Sequence, residues 1–198
     1  MRNYLTVFIT AMALVAVAAS AQSGNQAGLS RYGYPYVVGT LDLQAGAGGT
    51  LTVPDQYTGG KPAAGSATIT IPAGEFSVPV KFEVLAAANM NWDNKVAPNQ
   101  KVVANFAYRV INEDNGQLIE KFARPVTYTV QDPMITGHSV YWATTESSPP
   151  KIINANKATT IAGHTLTHPQ PVASVGWIIT TPKKDLSSST SVSMTGGY

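Results

Sequence analysis

Cysteine is absent from the chain, and with it every disulfide, thiolate nucleophile and cysteine-ligated metal centre. Charge is scarce: Asp, Glu, Lys and Arg make up 12% of the sequence, about half the usual share. Polar surface must therefore come from Thr, Ser, Asn and Gln. The net charge of +2 arises from scattered residues, which gives no electrostatic footprint for nucleic acid. Such a surface also repels its own copies weakly. Only one long apolar run exists, at the N-terminus. No stretch keeps a helical period over three turns. Phosphate-binding loops, G-x-S-x-G elbows and H-E-x-x-H pairs are all missing.

The N-terminal run reads as a secretory signal. Arg2 supplies the positive end, Leu5–Val17 the apolar core and Ala19-Ser20-Ala21 a small-residue cleavage site, so Gln22 is the expected mature N-terminus. The apolar core is short for a membrane span, and no second run of that length follows. Loss of Arg2 would lower the net charge to +1. An exported chain without cysteine, and without an Asn-x-Ser/Thr site after the signal, fits a bacterial or archaeal source. The expected location is extracellular, at the cell surface or in the periplasm.

What remains alternates. Val37–Leu43, Thr50–Val53 and Ala67–Ile71 are short apolar-alternating runs. Phe76, Val78, Val80, Phe82 and Val84 share one face, with Ser77, Pro79, Lys81 and Glu83 on the other. Pro79 has no N–H for a ladder, so that strand should lie at an edge or carry a bulge. Val102–Asn112 is predicted to turn at Asn115-Gly116 through a type I′ turn and return as Leu118–Phe122. Further strands are expected at Val126–Val130, Ser139–Ala143, Lys151–Asn154, Thr159–Ile161, Thr165–His168 and Val175–Thr180. Thirteen prolines and seventeen glycines punctuate these runs at the spacing of all-β folds. The expected architecture is a single antiparallel β-sandwich, Greek-key or immunoglobulin-like, over residues 37–182. An extended arm, residues 22–36, precedes it. A flexible Ser-rich tail, residues 183–198, follows and should be dispensable for folding.

Gly48-Gly49-Thr50-Leu51-Thr52-Val53, the strand Ala67–Ile71 and Pro72-Ala73-Gly74 together resemble a "GG-x-L … strand … I-P-x-G" pattern. That pattern marks the β-sandwich domain shared by ankyrins, netrin receptors and zonula occludens proteins, which also occurs in secreted bacterial proteins. Arg124-Pro125-Val126-Thr127-Tyr128-Thr129-Val130, Tyr141-Trp142 and Thr167-His168 through Trp177-Ile178-Ile179 are similar to later parts of it. The resemblance spans about residues 40–182. It implies binding or scaffolding and brings no catalytic residues. The stretch Ala86–Lys101 and the Ser-rich tail depart from it.

Candidate chemistry is thin. His164 and His168 share a strand face, but zinc would need further ligands such as His138 or Glu146. Asn89–Asn94 places oxygens at alternate positions, yet lacks the glycine and the bidentate Glu of a calcium loop. Glycosidase chemistry requires two converging acids. Asp42, Asp55, Glu75, Asp93, Asp114 and Asp132 cannot be paired by inspection. No cofactor and no metal is expected.

The aromatics offer two possibilities. Tyr32, Tyr34 and Tyr36 alternate in the arm and would lie on one face, either against the core or toward another subunit. Trp92, Trp142 and Trp177, with Tyr141, would form a sugar-stacking platform if exposed; large aromatics are more often core. Three function classes follow. The first is a non-enzymatic structural, adhesive or self-assembling subunit, whose partner is itself or another extracellular protein and whose contacts are a sheet edge or the segment Ser30–Val38. The second is a monomeric carbohydrate- or protein-binding module. The third is a hydrolase on a β scaffold.

Overall fold

The computed structural model describes residues 33–144, 152–154, 158–173 and 176–187. Eleven strands make up the fold: β1 Tyr36–Leu43, β2 Gly49–Pro54, β3 Ser66–Ile71, β4 Val80–Ala86, β5 Gln100–Asn112, β6 Lys121–Gln131, β7 Val140–Thr144, β8 Ile152–Asn154, β9 Thr160–Ala162, β10 Thr165–Val172 and β11 Gly176–Pro182. Two short helices, α1 Met90–Asp93 and α2 Lys183–Ser187, complete the described chain. The strands form two antiparallel sheets, in the orders β1-β4-β5-β11-β7-β8 and β2-β3-β6-β10-β9. The all-β sandwich is therefore present. None of the described helices is long and apolar enough to cross a membrane.

Period 2 dictates the main core. Val80, Phe82 and Val84 of β4 meet Phe106, Tyr108 and Val110 of β5, with Leu51, Ile69, Val126, Tyr128 and Leu166 from the other sheet. The six-stranded sheet is also covered on its outer face. There Leu85, Val102, Ala107 and Ile178 pack with Tyr34 and Trp92. Burial on both faces explains the near-continuous apolar runs of β4 and β5.

Four sequence expectations change. The strand through Pro79 begins only at Val80 and is interior, between β1 and β4's other neighbour β5. Pro79 stands just ahead of it, so no ladder N–H is lost, and its carbonyl accepts from Glu113 N–H at 3.0 Å. Glu83, expected at the surface, is buried opposite Arg109 and ion-paired with it. After β5 the loop runs over Glu113–Gly116, with left-handed backbone at Gly116 (φ 71°) but not at Asn115, so the turn is not type I′. Leu118 then makes one bridge to Ile111, and β6 pairs with β3 and β10 instead of β5. The reason is that both ladders of β5 are already taken by β4 and β11. Finally, the first five residues of the expected flexible tail form α2. Lys183 N–H donates to Asn99 O at 2.8 Å, and Asp185 accepts from Thr136 Oγ1 at 3.2 Å.

Candidate functional site

The tyrosine run divides into separate roles. Tyr34 is wholly buried on the outer side of the six-stranded sheet; its hydroxyl donates to Trp177 O at 3.0 Å and lies 3.3 Å from Thr144 Oγ1. Burial holds its phenol well above the ordinary range. Gly176 makes the room, because a Cβ there would stand 2.0 Å from Tyr34 Cε2. Tyr36 opens β1 at the surface, 37% exposed, and stacks on Tyr57 with centroids 3.6 Å apart. Tyr32 lies outside the described residues. The structure thus fixes Tyr34 to its own sheet and leaves Tyr36 at the rim.

Two of the three tryptophans share the outer face of the six-stranded sheet, and the third does not. Trp92, in α1, is buried beside Tyr34 with ring centroids 5.1 Å apart and Lys95 Nζ 4.5 Å from its centroid. Trp142 packs against the same outer cluster, half-buried, and its Nε1 donates to Thr180 Oγ1 at 2.8 Å. Trp177 faces the space between the sheets. The buried indoles of Trp92 and Trp177 present no ring face to a sugar, which leaves half-buried Trp142 alone.

The histidines also part. His164 Nδ1 donates to Ile135 O at 2.8 Å, His138 Nδ1 lies 3.0 Å from Asp185 Oδ2, and His168 Nδ1 lies 2.8 Å from Thr159 Oγ1. His168 is stacked on Tyr141 at 4.1 Å, and burial pushes its pKa down to about 4. No three His, Asp or Glu side chains gather as a metal site among the described residues. Within Asn89–Asn94, the side-chain oxygens of Asn89 and Asp93 turn onto the protein's own chain, while Asn91 and Asn94 are exposed. Asn89 Oδ1 accepts from Asn105 Nδ2 at 2.7 Å, and Asp93 accepts from Val102 N–H at 3.1 Å and Lys101 Nζ at 2.5 Å. They fasten α1 to β5.

A pairing that sequence did not reveal is made by strand register. Pro54, Ser66 and Gln131 stand side by side across β2, β3 and β6, and Thr165 of β10 continues the row. The strands are antiparallel, so the next residue outward on each is Asp55, Gly65, Asp132 and His164. Asp55 and Asp132 are almost completely buried there. A Cβ at Gly65 would lie 2.7 Å from Asp55 Oδ2 and 2.8 Å from Asp132 Cβ, which explains the glycine. Asp132 Oδ1 accepts from Met134 N–H at 2.6 Å, and Asp132 N–H donates to His164 O at 3.1 Å. Both Asp55 oxygens and Asp132 Oδ2 lack a donor of good geometry among the described residues. Burial first, then Asp132 within hydrogen-bonding reach, pushes the Asp55 carboxyl up to about 8. The row borders an open hollow of about 450 Å³ lined by Ala64, Gly65, Ser66, Gln131 and His164.

The chain matches no family model, no curated protein and no solved structure. Function must accordingly be argued from the surfaces and groups just described. Two chemically distinct features qualify: the rim of β1 with Tyr36 and Tyr57, and the buried acid pair. The carboxyls of the pair are enclosed, whereas the β1 rim faces outward.

Proposed function

We propose that the protein is an exported, non-enzymatic structural or interaction subunit that joins copies of itself along β1. The observation that carries this reading is the outer side of β1, which among the described residues has no neighbouring strand, flanked by exposed Tyr36 and Val37. An unpaired strand edge is a template for another strand. The other three sheet edges suit that role less well. β8 and β9 have three residues each, and β2 has six and ends in Pro54. Short strands and terminal prolines are common edge protection. β1 is the longest edge strand, with eight residues and Asp42 as its sole charge. A bulge between Val37 and Gly39 interrupts it, after which Gly39–Leu43 keep regular register. Weak self-repulsion of a near-neutral chain and the secretory signal at residues 1–21 belong to the same reading.

Light scattering on residues 22–198, with negative-stain imaging, tests it. Wild type is expected to form concentration-dependent ordered assemblies, and Val37→Lys to remain monomeric with an unchanged melting midpoint. A monomeric wild type at all concentrations, or a Val37→Lys variant that assembles equally well, would reject it. A second reading, a monomeric glycan-binding module, draws on the stack of exposed Tyr36 on half-buried Tyr57. It predicts glycan affinity that Tyr57→Ala abolishes.

A further inference from the structure

We propose that Asp55 and Asp132 form a clasp closed by one shared proton, which binds the ends of β2, β3, β6 and β10 and opens the hollow beside them when that proton leaves. The inference stands apart from the assembly reading. The four residues of the row come from four strands of one sheet, so whatever separates the two acids loosens all four ends together.

The surroundings leave few ways to satisfy the pair. From β5, Asn105 N–H donates to the Asp55 backbone carbonyl at 3.0 Å and does not reach its carboxyl. From the β9–β10 turn, His164 contributes its carbonyl, while its ring is engaged with Ile135 O. From β6, the buried Tyr128 phenol feels both acids, and its own proton is held well above the usual range. The amides of Asp55 itself and of Gly65 are the local influences that favour charge on Asp55. No Lys or Arg side chain is among the influences acting on it. Two carboxylates in contact and away from water cannot both be charged, so a proton kept between them supplies the donor that the oxygens lack. On its loss, like charges must separate or admit water. The hollow lined by Gly65 and His164 borders the pair's row and offers water an entrance.

The test uses the mature full chain between pH 6.5 and 8.5, a window above the titration of His168. Carboxyl carbon NMR is expected to show one aspartate titrating near pH 8. The melting midpoint should fall by several degrees from pH 6.5 to 8.5, and the amides of Gly65, Asp132 and Ile135 should lose exchange protection before the strand centres do. Asp55→Asn, which keeps the shape and supplies a permanent donor, should remove the pH dependence. If Asp55→Asn does not fold, the carboxyl titration of the wild type decides alone. Absence of any aspartate titrating above pH 6.5, or an Asp55→Asn variant with an undiminished slope, overturns the clasp. Calcium that raises the wild-type midpoint at pH 8.5 but not that of Asp55→Asn would also overturn it, making the pair a cation site.

Discussion

Tyr34 and Gly176 behave as one unit. A methyl at Gly176 would meet the Tyr34 ring at 2.0 Å, so Gly176→Ala is expected to cost about 1–3 kcal/mol through overpacking, read from urea unfolding. Tyr34→Phe keeps the ring and loses the bond to Trp177 O, a loss of about 1 kcal/mol. His168 and Asp55 oppose each other in pH. His168 titrates near 4 when folded and about 6.5 when unfolded, so its contribution is complete above 6.5 and lost as pH falls toward 4. Asp55 titrates near 8 when folded against 3.8, so its contribution is complete below 3.8 and declines as pH rises to 8. Between pH 4 and 6.5 the two slopes nearly cancel. Asp55→Asn should uncover the histidine, giving a melting midpoint that rises from pH 4 to 6.5 where the wild type is flat.

At the level of elements, α2 is a small fastening at the end of β11. Truncation after Ser187 should leave the melting midpoint unchanged. Truncation after Pro182, which removes the Lys183 and Asp185 bonds, should lower it by a few degrees. Strands were readable because alternation is local: Leu51 and Val53, or Val126, Tyr128 and Val130, announce a buried face within five residues. Partners were less readable. Pro79 suggested an edge because a proline inside a strand is tolerated there, yet the strand simply starts after it. Leu118 looked like a return strand, but nothing near it in sequence says that β11 will occupy the other side of β5. The acid pair was invisible for the same reason. Asp55 and Asp132 meet only because β3 lies between β2 and β6 in a particular register, which is a long-range fact. Gly176 did carry a local signal, since a glycine opening an apolar strand often marks a close approach.

For the whole molecule, the buried phenols set an upper pH limit. Tyr34, Tyr108, Tyr128 and Tyr141 are all held above their ordinary range, each chiefly by burial. Their shared contribution is intact below pH 10 and is lost as pH rises beyond it, because only the unfolded chain ionises there. Alkaline titration should therefore show these phenolates appearing together with loss of the fold in one cooperative step. A gradual titration with the β-sheet circular dichroism retained would contradict this. The two-layer plan also has a temporal side. The chain builds hairpins between neighbours, β2–β3, β4–β5, β7–β8 and β9–β10, each of which can form as soon as its second strand exists. β11 is different: it is the last of the described strands and enters between β5 and β7. A growing chain that has not yet reached Gly176 carries two open ladders in the middle of its larger sheet. The fold cannot close until Gly176–Pro182 have been made, and until then the molecule is most exposed to mispairing with its neighbours.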